Sequence, residues 1–157
     1  MDNQCTTCDL LKRRDADAAP LWDSIYRTEG FDIVHAFGVS LPGWMVLVAR
    51  RHIAAMDELT VREASELGIL LRLVSIGLKE ILGCEKTYVM QFAEGDGHHH
   101  VHLHLVPRAS DMPIENRGPN VFNYMQPENE VPESARNEIG AAMRRFLEEE
   151  LNQGTSD

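Results

Sequence analysis

The sequence predicts an α+β fold: an antiparallel sheet with a long central helix and a C-terminal helical extension. Three observations carry this reading. Two strand patterns precede residue 50, one long helical pattern follows residue 60, and two more strand patterns flank a glycine-rich turn. The first strand spans residues 31–37, with Phe31, Ile33, His35 and Phe37 alternating onto one face. The β-rich run Gly43 to Ala49 follows the Leu41-Pro42-Gly43 turn as its antiparallel neighbour. Thr60-Val61-Arg62-Glu63 then forms a capping box. Ala64, Leu67, Leu71, Val74, Leu78 and Ile81 continue at helical spacing until Gly83 ends the run. That helix is about 34 Å long at 1.5 Å per residue. Ile69, Leu70, Leu73 and Ile76 widen its apolar stripe beyond what one sheet needs, so the helix is expected to pack on a second surface as well. Residues 86–93 and 100–106 read as two further strands around Glu94-Gly95-Asp96-Gly97. After Pro107 the chain is irregular, with Pro113, Gly118-Pro119 and Pro127. A second amphipathic helix is expected from about Pro132 to Leu151, carrying Ile139, Met143, Phe146 and Leu147 and ending in a solvated acidic run at 148–150.

Length and composition suit one domain, expected over residues 1–157: 157 residues, 43% hydrophobic, with neither repeat nor low-complexity linker. No apolar run is long enough to span a membrane, and Met-Asp-Asn-Gln-Cys resembles no secretory signal, so a cytoplasmic protein is expected. A net charge of -10 repels nucleic-acid backbones and anionic membranes, leaving a small molecule as the expected partner. The three cysteines are too few for a disulfide scaffold. Cys5-x-x-Cys8 has no strand ahead of it, as a redox motif of the βαβ type would require, so zinc is the better expectation for this pair.

The stretch HHHVHLHL, residues 98–105, holds five of the seven histidines. Side chains two apart on a strand share a face, which aligns His98, His100, His102 and His104 and turns His99 away. Val101, Leu103 and Leu105 supply the buried opposite face, so the strand is expected to start near His100. Imidazoles in such a row must be hydrated, paired or bound to something, since burial without a partner is costly.

His100-Val101-His102-Leu103-His104-Leu105-Val106, followed by Pro107-Arg108, resembles the histidine-triad (HIT) pattern of three histidines alternating with apolar residues. The likeness covers residues 5–108, from the Cys-x-x-Cys through Arg50-Arg51-His52 to the triad, and leaves 109–157 outside it. It implies a HIT-like α+β fold, a homodimer, and a nucleotide hydrolase or nucleotidyl transferase attacking the α-phosphate of a nucleoside phosphoramidate or dinucleoside polyphosphate. A neutral imidazole is suited to such an attack, forming a nucleotidyl-histidine that a second acceptor cleaves. The likeness places His102 as nucleophile, His104 beside the phosphate or leaving group, and His100 with them in the catalytic set. It also completes a structural zinc site from Cys5, Cys8, His52 and His100. The dimer is expected to use the apolar surface of the 60–82 helix together with the strand after Gly83.

The chain departs from the family pattern around the phosphate. Gly97-His98-His99 replaces a Gly-Gln-Ser segment, making His98 or His99 the candidate substrate ligand, and Gln91 stands in for an expected asparagine. Trp44 replaces a histidine after Gly43 and is a candidate to stack on a base. The acidic residue expected to bind ribose aligns with the region of Ala36. Two rival classes follow from the same residues. A cupin-type metal oxygenase requires a glutamate soon after its histidines, where this chain has Leu105-Val106-Pro107-Arg108. A non-catalytic nucleotide-binding or zinc-stabilised interaction module is the alternative consistent with the altered phosphate segment.

Overall fold

A five-stranded antiparallel sheet, ordered β1-β2-β3-β5-β4, organises the chain. The computed structural model describes residues 5–153; residues 1–4 and 154–157, at the two ends of the expected domain, lie outside the described residues. The strands are β1 (Tyr26–Arg27), β2 (Phe31–His35), β3 (Met45–Ala49), β4 (Lys86–Gln91) and β5 (His102–Arg108). Three helices accompany them: α1 (Thr6–Asp15), α2 (Val61–Leu82) and α3 (Glu133–Gln153).

Both sheet faces are covered, which explains why the Met45–Ala49 strand is apolar at every position and buried throughout. Phe31, Ile33, Met45, Leu47, Leu103 and Leu105 form a core with Leu67, Leu70, Val74 and Leu78 of α2. Each such burial contributes about 2 kcal/mol. On the other face Val34, Val46, Val48 and Val106 pack with Leu11 of α1 and with Met112 and Val121 from the segment after β5.

The α2 boundaries follow from its caps. The Thr60 side chain accepts from the Glu63 amide, the Glu63 carboxylate accepts from the Thr60 amide, and Gly83 closes the helix at φ 68°. The second surface that α2 packs on is α3. A Cβ on Gly77 would lie 2.8 Å from Met143 Sδ and 2.9 Å from Phe146 Cδ1, and Met143 and Leu147 are fully buried in the same core as the sheet. Leu73 is buried there too, whereas Ile69 remains 56% exposed. α3 thus covers the part of the apolar excess around Leu73 and Gly77 and leaves Ile69 open.

Several boundaries differ from the sequence reading, three of them at the site. β2 ends at His35 and β3 begins at Met45, because Ala36 to Trp44 closes the hairpin: the Ala36 amide donates to the Trp44 carbonyl at 2.8 Å, and Gly38 and Gly43 both have positive φ. β5 begins at His102, two residues late, because the His98 amide donates to Gly95 O at 2.8 Å and the His100 amide to His98 O at 2.7 Å, which curls the chain into a turn. The helix α1 was not anticipated. Its sequence TTCDLLKRRD is only weakly amphipathic, and it is held by tertiary contacts, chiefly the Arg14–Asp23 ion pair at 2.7 Å, buried on both sides. No helix among the described residues is long and apolar enough to cross a membrane.

Candidate active site and metal centre

Between α1 and the sheet lies a cavity of about 340 Å³ whose floor is Val34, Val46 and Val48. His102 and His104 project into it from β5, and His98 reaches it from the preceding turn. The ring centroids of His102 and His104 are 5.0 Å apart, and those of His98 and His102 are 6.5 Å apart. Behind the row Val101, Leu103 and Leu105 are buried in the α2-side core, so the alternation of the motif sorts polar from apolar side chains as its spacing predicts.

The hydrogen-bond partners assign the tautomers. His102 Nδ1 lies 2.7 Å from the His100 carbonyl oxygen, which only accepts, so Nδ1 carries the proton and Nε2 keeps its lone pair. His104 Nδ1 receives the Trp44 indole N–H at 3.0 Å, and an indole nitrogen only donates. In neutral His104 the proton therefore sits on Nε2. Burial, reinforced by the neighbouring charge of His102, holds the His104 imidazole down at about 4, so it is neutral at pH 7. The row thus offers a nucleophilic lone pair at His102 and an N–H donor at His104. His98 Nδ1 is 2.8 Å from Thr7 Oγ1 at the start of α1, and burial lowers its pKa.

The second constellation lies at the other end of the 98–102 segment. Cys5 and Cys8 at the start of α1, His52 after β3 and His100 before β5 bring their four donor atoms within 4.8 Å of one another. Cys5 Sγ and Cys8 Sγ lie 3.6 and 3.5 Å from His100 Nδ1, Cys8 Sγ lies 3.3 Å from His52 Nδ1, and the two Nδ1 atoms are 3.2 Å apart. Such a group could hold a metal ion. His100 donates its other nitrogen to the Ala49 carbonyl at 2.6 Å, which fixes the ring and leaves Nδ1 free as a ligand. Burial, with Cys5 adding to it, pushes the Cys8 thiol up to about 11. A bound cation would reverse that tendency.

The remaining candidates divide. His99 is exposed and does not line the cavity, because the turn at 98–100 points it outward. Gln91 pairs in register with Leu103, placing it on the α2 side of the sheet, away from the histidine row. Trp44 borders the cavity but is 0% exposed, so its ring is closed to a stacking base and its contribution is the bond to His104. Sequence reading missed Thr7, Phe92, Phe122 and the Arg14–Asp23 pair, all of which line the cavity. Phe122 sits in a short 3-10 segment, Gly118–Tyr124, whose sequence has no periodicity to reveal it.

Solved structures share this architecture. A HIT-like protein involved in cell-cycle regulation from Bartonella henselae superposes with TM-score 0.68 at 16% identity, covering 94% of this chain and 98% of that one. The fold is that of the histidine-triad proteins. A zinc-bound histidine-triad protein from Mycobacterium smegmatis matches with TM-score 0.64 at 17% identity over 95% and 96% of the two chains. The diadenosine triphosphate hydrolase of Plasmodium falciparum matches with TM-score 0.59 at 13% identity over 80% and 76%. No family model and no curated protein matches the sequence itself. Beyond residue 108 the segment after β5 carries Val121 into the sheet's second core, and α3 adds Met143 and Leu147 to the first.

Proposed function

We propose that the protein is a nucleotide hydrolase or nucleotidyl transferase that works at an α-phosphate through a nucleotidyl-His102 intermediate. The observation that supports this most strongly is the pair of opposed tautomers on β5. His102 Nε2 is the unprotonated nitrogen of a ring lining the cavity, and the His104 Nε2–H stands beside it to bind a phosphate oxygen. In the first step His102 Nε2 forms a bond to phosphorus while the bond from phosphorus to the leaving group breaks. The leaving group departs with that electron pair and takes a proton from solvent. The His100 carbonyl stabilises the positive charge that spreads to Nδ1–H. Water or another acceptor then attacks phosphorus and gives up its proton to solvent while the phosphorus–Nε2 bond breaks, its electron pair returning to Nε2, which releases the nucleotide and restores His102. The fold match to a diadenosine triphosphate hydrolase is consistent with this chemistry.

Zinc fits the Cys5, Cys8, His52, His100 cluster. Tetrahedral bonds of about 2.3 Å to sulfur and 2.0–2.1 Å to nitrogen imply donor separations of about 3.5 Å for sulfur–nitrogen and about 3.3 Å for nitrogen–nitrogen. The cluster has 3.3–3.6 Å and 3.2 Å. Four protein ligands would leave no open position, so a bound ion would supply structure: Cys5, Cys8, His52 and His100 would tie α1 to the entry of β5, and His100, whose carbonyl holds His102, would be steadied.

Acid quenching during turnover of a nucleoside phosphoramidate, followed by peptide mass spectrometry, should find the nucleotidyl group on the peptide containing His102. His102→Ala should lose turnover by on the order of 10⁴-fold or more while melting within about 2 °C of the wild type. An adduct on another residue, or turnover surviving in the variant, would remove His102 as nucleophile. Nucleotide binding without any adduct would favour the non-catalytic module.

A further inference from the structure

We propose that the groove between α2 and the start of β4 binds a small polyanion carrying two or more phosphate groups, held by Arg72, Lys79 and Lys86. The groove shares no lining residue with the histidine cavity, so this site stands independently of the nucleotidyl-transfer reading.

Arg72, Ser75, Ile76 and Lys79 follow one another at helical spacings of three and four and form a single stripe of α2. This stripe differs from the one at Leu73 and Gly77 that meets α3. Across a groove of about 380 Å³ stand Lys86 and Thr87 of β4, with the buried Cys84 between the two elements. β4 is the last strand of the sheet, so its outer side is open to a ligand.

Charge identifies the ligand. Most of the fifteen lysines and arginines are held through their side chains by an acidic group or a backbone carbonyl. Among the described residues the exceptions are Arg13, Arg72, Lys79, Lys86 and Arg145, and three of these five line this one groove. No acidic side chain lines it, and Glu85, next to Lys86 in sequence, is taken by Arg108. A chain with twenty-five acidic residues has no shortage of partners for its cations. Three cations converging without one are a preformed site for the charge of a ligand. The hydroxyls are already committed: Ser75 donates to the Leu71 carbonyl at 2.7 Å, and Thr87 donates to the Cys84 sulfur. Recognition therefore falls to the three cations.

Their spacing sets the size of the ligand. Arg72 and Lys79 are seven residues apart on α2, about 10 Å at 1.5 Å per residue, which favours two or more anionic groups over one. A second copy of the chain fits this groove less well. A two-fold contact centred here sets the patch against itself, so the same cations would meet with no acid between them.

The test is a titration of isotope-labelled, untagged protein with sodium pyrophosphate at low salt, followed by amide NMR. Saturable shifts are expected at Ser75, Lys79, Lys86 and Thr87, with binding at least about tenfold tighter than for orthophosphate and weakening as salt is raised. Arg72→Gln, Lys79→Gln and Lys86→Gln should each weaken pyrophosphate by about tenfold, the loss of one charge-assisted contact. All three side chains are exposed, so the variants keep the fold. Arg145→Gln removes an unpaired cation of α3 outside the groove and should leave the affinity unchanged. Shifts confined to His102 and His104, equal affinity for the two anions, or equal sensitivity to Arg145→Gln would overturn the site. So would a glutamate-rich peptide binding the groove where pyrophosphate does not, or sedimentation showing a dimer whose Lys86 and Lys79 are closed to pyrophosphate.

Discussion

His102 and His104 lie two residues apart on one strand and carry their protons on different ring nitrogens, because one faces a carbonyl and the other an indole N–H. The consequence for Trp44 is specific. Replacing it with Phe keeps most of the buried volume but removes the donor, leaving His104 Nδ1 without its partner at a cost of about 1–3 kcal/mol. His104 is then free to place its proton on either nitrogen. Trp44→Phe should therefore lower kcat by about 10- to 100-fold with a smaller change in KM. Long-range nitrogen NMR should show His104 moving from a single Nε2–H tautomer to a mixture. An unchanged tautomer with unchanged kcat would mean that the indole contributes packing alone.

At the scale of elements, α1 owes its place to what its ends touch. Cys5 caps it and Cys8 follows one turn later, both in the His52–His100 cluster, while Arg14 at the far end pairs with Asp23. With zinc bound as proposed, removing one thiolate would break the tetrahedral set and release the helix start from the β5 entry. Cys5→Ser and Cys8→Ser should each reduce bound zinc from one ion per chain to well below half, and should lower Tm by roughly 10 °C. Metal analysis and calorimetry of untagged protein check both. One ion still bound per chain after loss of both cysteines would place the metal on the histidines alone.

Two histidines held well below their ordinary range, the fully buried His35 and the partly buried His104, contribute to the acid response of the whole molecule. His35 is fully enclosed, donating from Nδ1 to the Ala36 carbonyl and accepting the Gly43 amide at Nε2, and burial pushes it down to about 4, as it does His104. In the unfolded chain both return to about 6.5. Between those values the unfolded state binds more protons, so stability is complete above about pH 6.5 and falls as pH drops toward 4, by at most about 1.4 kcal/mol per pH unit for each group. Urea unfolding with chelator present at both pH values should show a loss on the order of 3 kcal/mol between pH 7 and pH 5 from the pair. A flat response over that interval would mean that one or both are protonated in the folded protein.

Residues close in sequence determined a great deal. The capping box at Thr60, the termination at Gly83, the four main strands and the sorting of His102 and His104 from Leu103 and Leu105 follow from local spacing, because helix and strand periods act over a few residues. Cys5-x-x-Cys8 pointed to a metal by residue type and spacing, and the family resemblance added His52 and His100; the fold brings the four donors of this candidate site together. Tertiary structure alone decided the rest. It capped α2 with α3 through the close approach at Gly77, brought Phe122 from an aperiodic segment to the histidine row, and turned Gln91 and His99 away from it. It also closed Trp44 against His104 and so chose that histidine's proton position. Each of these outcomes depends on which distant side chains come into contact, and a one-residue shift of register or turn reverses the face a side chain occupies, a quantity that local spacing does not encode.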